Sequence, residues 1–437
     1  MAAAPHILIV GGGYVGLYTA FHLQKKLRRG EARVTVVDPQ PNMTYQPFLP
    51  EAAAGAIEPR HVVVPLRRVL RHCQVLTARV TAVDHERKVA SIEPIEGSPL
   101  ELDYDLIVMA GGSIARTLPI PGLAEQGIGF RTVGEAIYLR NHVLSRLDLA
   151  TTTDDAKRRE KALSFVFIGG GYAGVEAFAE LEDMARSALR YYPDVAPEDM
   201  HWMLVEAADR ILPEVSKSLA VYTVKEMLGR GMDIRLATRV ESMVDGHVVL
   251  TDGTKFDAET IVWTAGGRAN PLAALAKGLP VDDKGRLVCT AELRIKGVDS
   301  AWSAGDIAAV PDLSKKDDPA ALCGPSAQHA VRQAKRLSSN IVAVLRGNAP
   351  KPYVHAYAGS VASLGLRKGV AEIYGVKLKG WLAWFMHRTY HVSRVPTLNR
   401  KVRVIADWTL ALFFRREAVS LGEIQHPRSA FESAARQ

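Results

Sequence analysis

Cysteine is scarce in this chain: Cys73, Cys289 and Cys323 are the only three among 437 residues, and no C-x-x-C or C-x4-C spacing joins them. That scarcity excludes a disulfide scaffold, a cysteine zinc site and a redox-active dithiol, and it points to a reducing compartment. Long apolar runs are also missing. None approaches the roughly 20 residues that a membrane-spanning helix needs. The formal net charge of +8 comes without a helix-turn-helix, zinc-finger or RNA-binding signature, so nucleic acid is not an expected partner. No metal cluster, covalent nucleophile or Ser-His-Asp arrangement can be read from the spacing. Strand residues begin at His6, which is expected to leave no room for a leader peptide.

What the chain has is a glycine-rich turn that occurs twice. Residues 7–17 read ILIVGGGYVGL and residues 165–175 read FVFIGGGYAGV. Each is a short β-branched or aromatic apolar run that breaks into G-x-G-x-x-G and passes into a helix-compatible segment. The first glycine (Gly11, Gly169) allows the tight turn. The second (Gly13, Gly171) lets backbone approach a pyrophosphate, and the third (Gly16, Gly174) lets the helix pack close on the strand. The phosphates then sit on free N–H groups at the helix N-terminus. An acidic residue should end the next strand and bind the adenosine ribose hydroxyls. VTVVD ends in Asp38 and HWMLVE ends in Glu206, although both would also occur as plain strand ends. Glu206 comes late, which fits a longer helical insert across residues 179–200. Its charge repels a 2′-phosphate, so the second nucleotide is expected to be NADH rather than NADPH. Two dinucleotide sites in one chain imply hydride traffic between two dinucleotides.

The expected class is α/β, with two Rossmann-like dinucleotide-binding domains, the second inserted into a split first, plus a C-terminal amphipathic region. The boundaries read as 1–161 and 271–349 for the split domain, 162–270 for the inserted one and 350–437 for the remainder. LVCTAELRI and AWSAGDIAAVP are expected to close the first sheet, and TDGT reads as a hairpin turn. TTTDDAKRREKA reads equally as a linker or a solvated helix end.

Two stripes near the C-terminus recur at helical spacing. Leu378, Trp381, Leu382, Phe385, Thr389 and Val392 form the first, with Lys377, Lys379, Arg388 and Arg394 around it. Val402, Ile405, Trp408, Thr409 and Leu412 form the second, flanked by Arg400, Lys401, Arg403, Arg415 and Arg416. Trp and Phe on an apolar face with cations at its margin describe a helix lying in the headgroup region of an anionic membrane. The same stripes suit a homodimer interface. His387, Tyr390, His391 and Arg394 make the first stripe polar, which points to weak or reversible binding.

These residues resemble the two-dinucleotide flavoproteins of the pyridine nucleotide-disulfide oxidoreductase superfamily, with FAD on the first unit and NAD on the second. Three segments narrow the resemblance to the type II NADH dehydrogenases, the single-subunit NADH:quinone oxidoreductases of respiratory membranes. TYQPFLPEAAAG (44–55) is similar to that family's Q-P-L-L-Y-x-x-A-x-G segment beside the flavin. AGDIAAV (304–310) resembles the motif whose Asp, here Asp306, holds the FAD ribityl chain. The stretch from Gly359 onward is similar to the family's C-terminal membrane-docking segment.

The resemblance implies non-covalent FAD on Gly11, Gly13, Gly16, Asp38, Gln46, Pro47, Asp306 and Ala327, and NADH on Gly169, Gly171, Gly174 and Glu206. It places Glu176 near nicotinamide and flavin, and Gln328 on the quinone side of a helix that SAQHAVRQAKRLSSNIVAVL forms behind a Ser326 cap. A carboxylate at Glu176 would also be favoured simply by a helix start. The implied protein is a peripheral, non-pumping enzyme on the cytoplasmic face of a bacterial membrane, passing electrons to menaquinone or ubiquinone. Cut after about Gly375, it is expected to lose membrane association and keep FAD.

The sequence departs from that family at two places, one of them Tyr172 and Ala173, which stand where the family often has Pro-Thr. At the other, the usual A-Q-x-A-x-Q places two glutamines one turn apart, but here Arg332 stands at the second, and Gln333 lies about 100° round the helix. Arg332 suits an anionic or more polar acceptor, or else plugs the tunnel. Two other readings therefore stay open: an NADH-dependent flavoprotein reductase with a non-quinone acceptor, and a membrane redox sensor with little turnover. Sulfide:quinone reductase chemistry needs a cysteine pair across the flavin, and Cys323 has no evident partner.

Overall fold

The computed structural model describes residues 4–355, 359–414, 418–421 and 432–434. The helices used below are α1 (Tyr14–Lys26), α2 (Leu49–Ala53), α3 (Tyr172–Ala188), α4 (Ala327–Leu345), α5 (Gly380–Arg394) and α6 (Leu398–Phe413). The chain divides into two compact units, each discontinuous in sequence. The first comprises Met1–Thr44, Val64–Ile114 and Gly267–Tyr357; the second comprises Tyr45–Val63, Ala115–Gly266 and Ala358–Gln437.

In the first unit the strand His6–Val10 is buried along its whole length. It pairs in parallel with Arg33–Asp38 on one side and Leu106–Met109 on the other. A strand covered on both faces reads as an unbroken apolar run, which is why ILIV shows no alternation. The sheet continues through Gln74–Asp84, Val89–Pro94 and Leu100–Asp103 at one end and Ala301–Ser303 at the other. AWS thus closes the sheet as expected. LVCTAELRI reaches the sheet only through an isolated antiparallel bridge of Arg294 to Trp302, while Leu287–Val288 pairs with Ala308–Ala309 in a separate two-stranded piece. The residues after it turn back on themselves, with Leu293 at φ +73° and the Thr290 amide bonded to the Arg294 carbonyl at 2.8 Å, so no straight strand is available to the sheet.

The second unit has its own parallel sheet, in the order Gly127–Gly129, Thr260–Trp263, Ser164–Ile168, His201–Val205 and Asp233–Arg235. Helix α3 and two short 3-10 turns, Leu189–Tyr191 and Pro197–Asp199, fill the stretch that delays Glu206. The TDGT turn joins His247–Leu250 to Lys255–Asp257, closed by the Leu250 amide on the Thr254 carbonyl at 3.0 Å. Within TTTDDAKRREKA, Thr151 and Thr152 end the helix Val133–Thr152, and Ala156–Ala162 is a separate short helix whose Asp155 side chain accepts from the Lys157 and Arg158 amides.

The first C-terminal stripe does not lie on one helix. Leu378 belongs to the strand Val376–Lys379, the last of an antiparallel three-stranded sheet with Gly359–Ser363 and Gly369–Ile373. Gly380 at φ +65° then starts α5. Arg415, Arg416 and the side chain of Leu412 lie outside the described residues.

Candidate functional site

The first glycine turn sits at the carboxyl end of the central strand of the first unit, the edge where open parallel sheets take their ligands. Gly11 adopts φ +104°, and a Cβ there would lie 2.5 Å from the Ala110 carbonyl oxygen. A Cβ on Gly16 would lie 1.7 Å from the Gly11 carbonyl oxygen, so only glycine lets α1 pack this close. Gly13 faces open space. Helix α1 starts at Gly13 with no side-chain cap and no acid in its first turn, leaving its amides to an outside anion. Asp38 accepts the Gly12 amide on Oδ2 at 2.6 Å and the Gln40 amide on Oδ1 at 2.7 Å. Burial pushes its pKa up, against the pull of those two amides.

The second turn repeats this geometry in the second unit. Gly169 has φ +115°, a Cβ on Gly174 would lie 2.0 Å from the Gly169 carbonyl oxygen, and Gly171 faces open space. Helix α3 also starts uncapped, without acid in its first turn. Glu206 accepts the Gly170 amide on Oε2 at 2.5 Å and the Ala208 amide on Oε1 at 2.7 Å. Both turns therefore fit the pyrophosphate of a dinucleotide. The middle glycine of each GGG run is closely packed as well: a Cβ on Gly12 would meet Leu66 Cδ1 at 2.6 Å, and one on Gly170 would meet Ile211 Cγ2 at 2.7 Å, so those side chains would have to shift. The tripled glycine itself was the signal for that role.

Other expected residues divide between the units. In the first, Asp306 accepts a hydrogen bond from Ser113 Oγ at 2.7 Å. Ser326 caps α4 by accepting from the His329 amide, which puts Ala327 and Gln328 at the opening of that helix. Arg332 folds back along α4, its Nη1 donating to Gln328 Oε1 at 3.1 Å. Gln333, turned away from that face, is buried and accepts the Gly305 amide at 2.7 Å, steadying the turn that carries Asp306. Its spacing said only where it did not point. Cys323 is buried, and burial pushes its thiol up to about 11. All three cysteines are free. Gln46 and Pro47 fall in the second unit, where Gln46 Nε2 donates to the Arg131 carbonyl at 3.4 Å.

Glu176, also in the second unit, is the fifth residue of α3, beyond the first turn, and 6% exposed. It belongs to an ionic cluster that sequence reasoning missed. Its Oε1 accepts the Ser363 amide at 2.8 Å and lies 3.0 Å from His387 Nε2. Glu180, one turn on, accepts from Ser363 Oγ at 2.7 Å. Arg388 Nη2 and Trp408 Nε1 both donate to Glu51 Oε2, at 2.9 and 2.7 Å. The Arg388 guanidinium also stacks over the Trp384 and Trp408 rings, at 3.9 and 4.8 Å. Burial opposes a charge on His387, but Glu176 first, then Glu51 and Glu180, outweigh it and hold its pKa above the ordinary value. His391, whose ring centroid is 4.5 Å from that of His387, is pushed well down by burial and by that neighbour.

This cluster corrects the reading of the first stripe. His387 and Arg388 are not polar interruptions of a surface; they point into the unit, 1% and 7% exposed. Trp408 likewise turns its indole N–H inward. The side chains left outside are Trp381, Leu382 and Phe385 on α5 and Leu398, Val402, Ile405, Leu410 and Phe413 on α6. A cut after Gly375 would remove α5 with its buried ion pairs, so it cannot separate membrane contact from folding. No helix among the described residues is long and apolar enough to cross a membrane.

The comparisons agree with this architecture. The chain belongs to the pyridine nucleotide-disulphide oxidoreductase family, whose pattern matches residues 5–334. Residues 357–417 match the NDH2 C-terminal domain, which places the chain in the type II NADH dehydrogenase branch. A type II NADH:quinone oxidoreductase of Staphylococcus aureus is 29% identical, over 89% of this chain and 94% of the relative. A probable NADH dehydrogenase of Dictyostelium discoideum is 27% identical, over 95% and 91%. In fold, the chain matches NDH2 of Plasmodium falciparum in complex with NADH with a TM-score of 0.88, at 18% identity, covering 95% of this chain and 99% of that one.

Proposed function

We propose that the protein is an FAD-dependent NADH dehydrogenase that oxidises NADH and passes two electrons to a membrane quinone without pumping protons. The observation that carries this is the duplicated turn. In each unit an uncapped helix N-terminus faces open space at its second motif glycine, with a carboxylate bonded to the middle glycine's amide. When bound, FAD supplies the two-electron centre between NADH and acceptor. Gly11, Gly13 and Gly16 with Asp38, Gln46, Pro47, Asp306 and Ala327 are assigned to FAD; Gly169, Gly171, Gly174 and Glu206 are assigned to NADH. Glu176 acts beside the nicotinamide, and Gln328 with Arg332 orients the acceptor. The membrane-facing side is the outward apolar face of α5 and α6, placed on the cytoplasmic leaflet of a cell membrane as a homodimer. The relatives' names and the C-terminal match support the quinone.

A second reading, a reductase with a more polar acceptor, is favoured by the guanidinium of Arg332 bonded to Gln328. Anaerobic mixing decides between them. The yellow protein should bleach rapidly with NADH and recolour rapidly on adding menaquinone or ubiquinone analogues; bleaching without quinone reoxidation leaves the second reading. Bleaching that is itself slow would leave a redox sensor.

Glu206→Gln tests the nucleotide assignment. The amide keeps an acceptor for the Gly170 N–H but loses the charge that repels a 2′-phosphate. The ratio of kcat/KM for NADPH to that for NADH should rise about tenfold or more, equivalent to about 1.4 kcal/mol. An unchanged ratio means Glu206 does not meet the ribose.

A further inference from the structure

The cluster around Glu176 holds more acid than base. Glu51 and Glu176 bring two carboxylates, 1% and 6% exposed, against Arg388 as the permanent cation. An unbalanced buried charge is so costly that such a site binds protons. The geometry shows where. His387 lies between the two carboxylates, with Nε2 3.0 Å from Glu176 Oε1 and Nδ1 4.0 Å from Glu51 Oε1. Nδ1 has no hydrogen-bond partner, and neither does Glu51 Oε1, whereas Nε2 is paired with Glu176. Arg388 and Trp408 both bind the other oxygen, Oε2, and so leave Oε1 to the imidazole.

The titratable groups that face His387 come from three elements. Glu51 comes from α2, Glu176 and Glu180 from α3, the uncharged Ser363 from the strand Gly359–Ser363, and Arg388 and His391 from α5 itself. His391 does not compete for the proton, since burial and the His387 charge disfavour its own, and its Nδ1 lies 3.2 Å from Tyr45 Oη.

We propose that Glu51 is a positioning residue for proton transfer, holding on His387 a proton destined for Glu176. The proposal rests on the function proposed above. Reduction of a quinone by NADH is NADH + H⁺ + quinone → NAD⁺ + quinol. The hydride brings both electrons and one proton equivalent, and the second proton comes from solvent. In the transfer, the His387 Nε2–H bond breaks as an O–H bond forms on Glu176 Oε1. Glu176 then releases a proton for quinol formation, and a proton from solvent restores His387. Glu51, held by Arg388 and Trp408 through its other oxygen, sets how firmly the imidazole holds the proton.

The test is a pH titration of the histidine ring carbons by NMR in the FAD-bound protein, without NADH or quinone, with His387 assigned from the resonance lost in His387→Gln. A proton held by neighbouring carboxylates persists to higher pH than on free imidazole, so the wild-type midpoint should lie above 6.5. Glu51→Gln should lower that midpoint by about one pH unit, as expected for a charge about 4 Å away in a well-screened site. Arg388→Gln removes a positive charge and should raise it. Loss of a structural strut would not give opposite signs. The alkaline limb of the pH profile for quinone reduction should move with the midpoints. A wild-type midpoint at or below 6.5 overturns the proposal even if neither variant folds, as does a Glu51→Gln midpoint equal to wild type. A protein that titrates as expected but never reduces quinone overturns the functional reading and leaves the proton site standing.

Discussion

Gly16→Ala should destroy the first unit and its FAD together, whereas Gly13→Ala should cost FAD alone. At Gly16 the new Cβ would lie 1.7 Å from the Gly11 carbonyl oxygen, a backbone atom that cannot swing aside. Helix α1 must part from its strand, at a cost of about 3 kcal/mol or more. At Gly13 the backbone has φ −70° and ψ −157°, which any residue adopts, and the new methyl group meets no protein atom within 4 Å. It meets only what binds there. Flavin absorbance per protein and apoprotein melting temperature separate the two variants. Gly13→Ala should bind FAD about tenfold more weakly or worse, with the melt unmoved. Full flavin content in Gly13→Ala would show that the phosphates lie elsewhere. Gly174→Ala should do to the second unit what Gly16→Ala does to the first, since its Cβ would stand 2.0 Å from the Gly169 carbonyl oxygen.

The nucleotide turns were legible because glycine leaves a mark in the sequence wherever backbone must approach backbone. Asp38 and Glu206 were legible because they end apolar runs. The family branch was legible from the C-terminal segment. The ionic cluster was not. Glu51 and Arg388 lie 337 residues apart, and nothing in either local segment announces the other. At helical spacing, the His387 and Arg388 of α5 read as gaps in an apolar stripe, whereas the structure turns that side of the helix inward. An amphipathic pattern tells which residues share a face, but not which face is buried when both are mixed.

The same distinction shapes the second large effect. The triple variant Trp381→Ser, Phe385→Ser, Phe413→Ser should release the protein from anionic vesicles while leaving FAD content and melting temperature at wild-type levels. These side chains are 66%, 54% and 79% exposed, so their loss removes little internal packing. Each large apolar side chain buried in the interface contributes about 1.5–3 kcal/mol, so vesicle affinity should fall by at least about 100-fold. Vesicle co-sedimentation reads the affinity. Unchanged binding would mean that this face meets something other than lipid, and a shift in oligomeric state on gel filtration would identify it as an interface between copies.

The pairing of Glu51 with Arg388 also sets a schedule for synthesis. At 5–20 residues per second, about 17 to 70 seconds separate the two residues as they leave the ribosome. Helix α5 is made after α2 and α3, so until it emerges Glu51 and Glu176 have neither Arg388 nor His387 beside them. Unpaired carboxylates prefer water to a dry interior. The core of the second unit around them therefore stays wet until α5 is made.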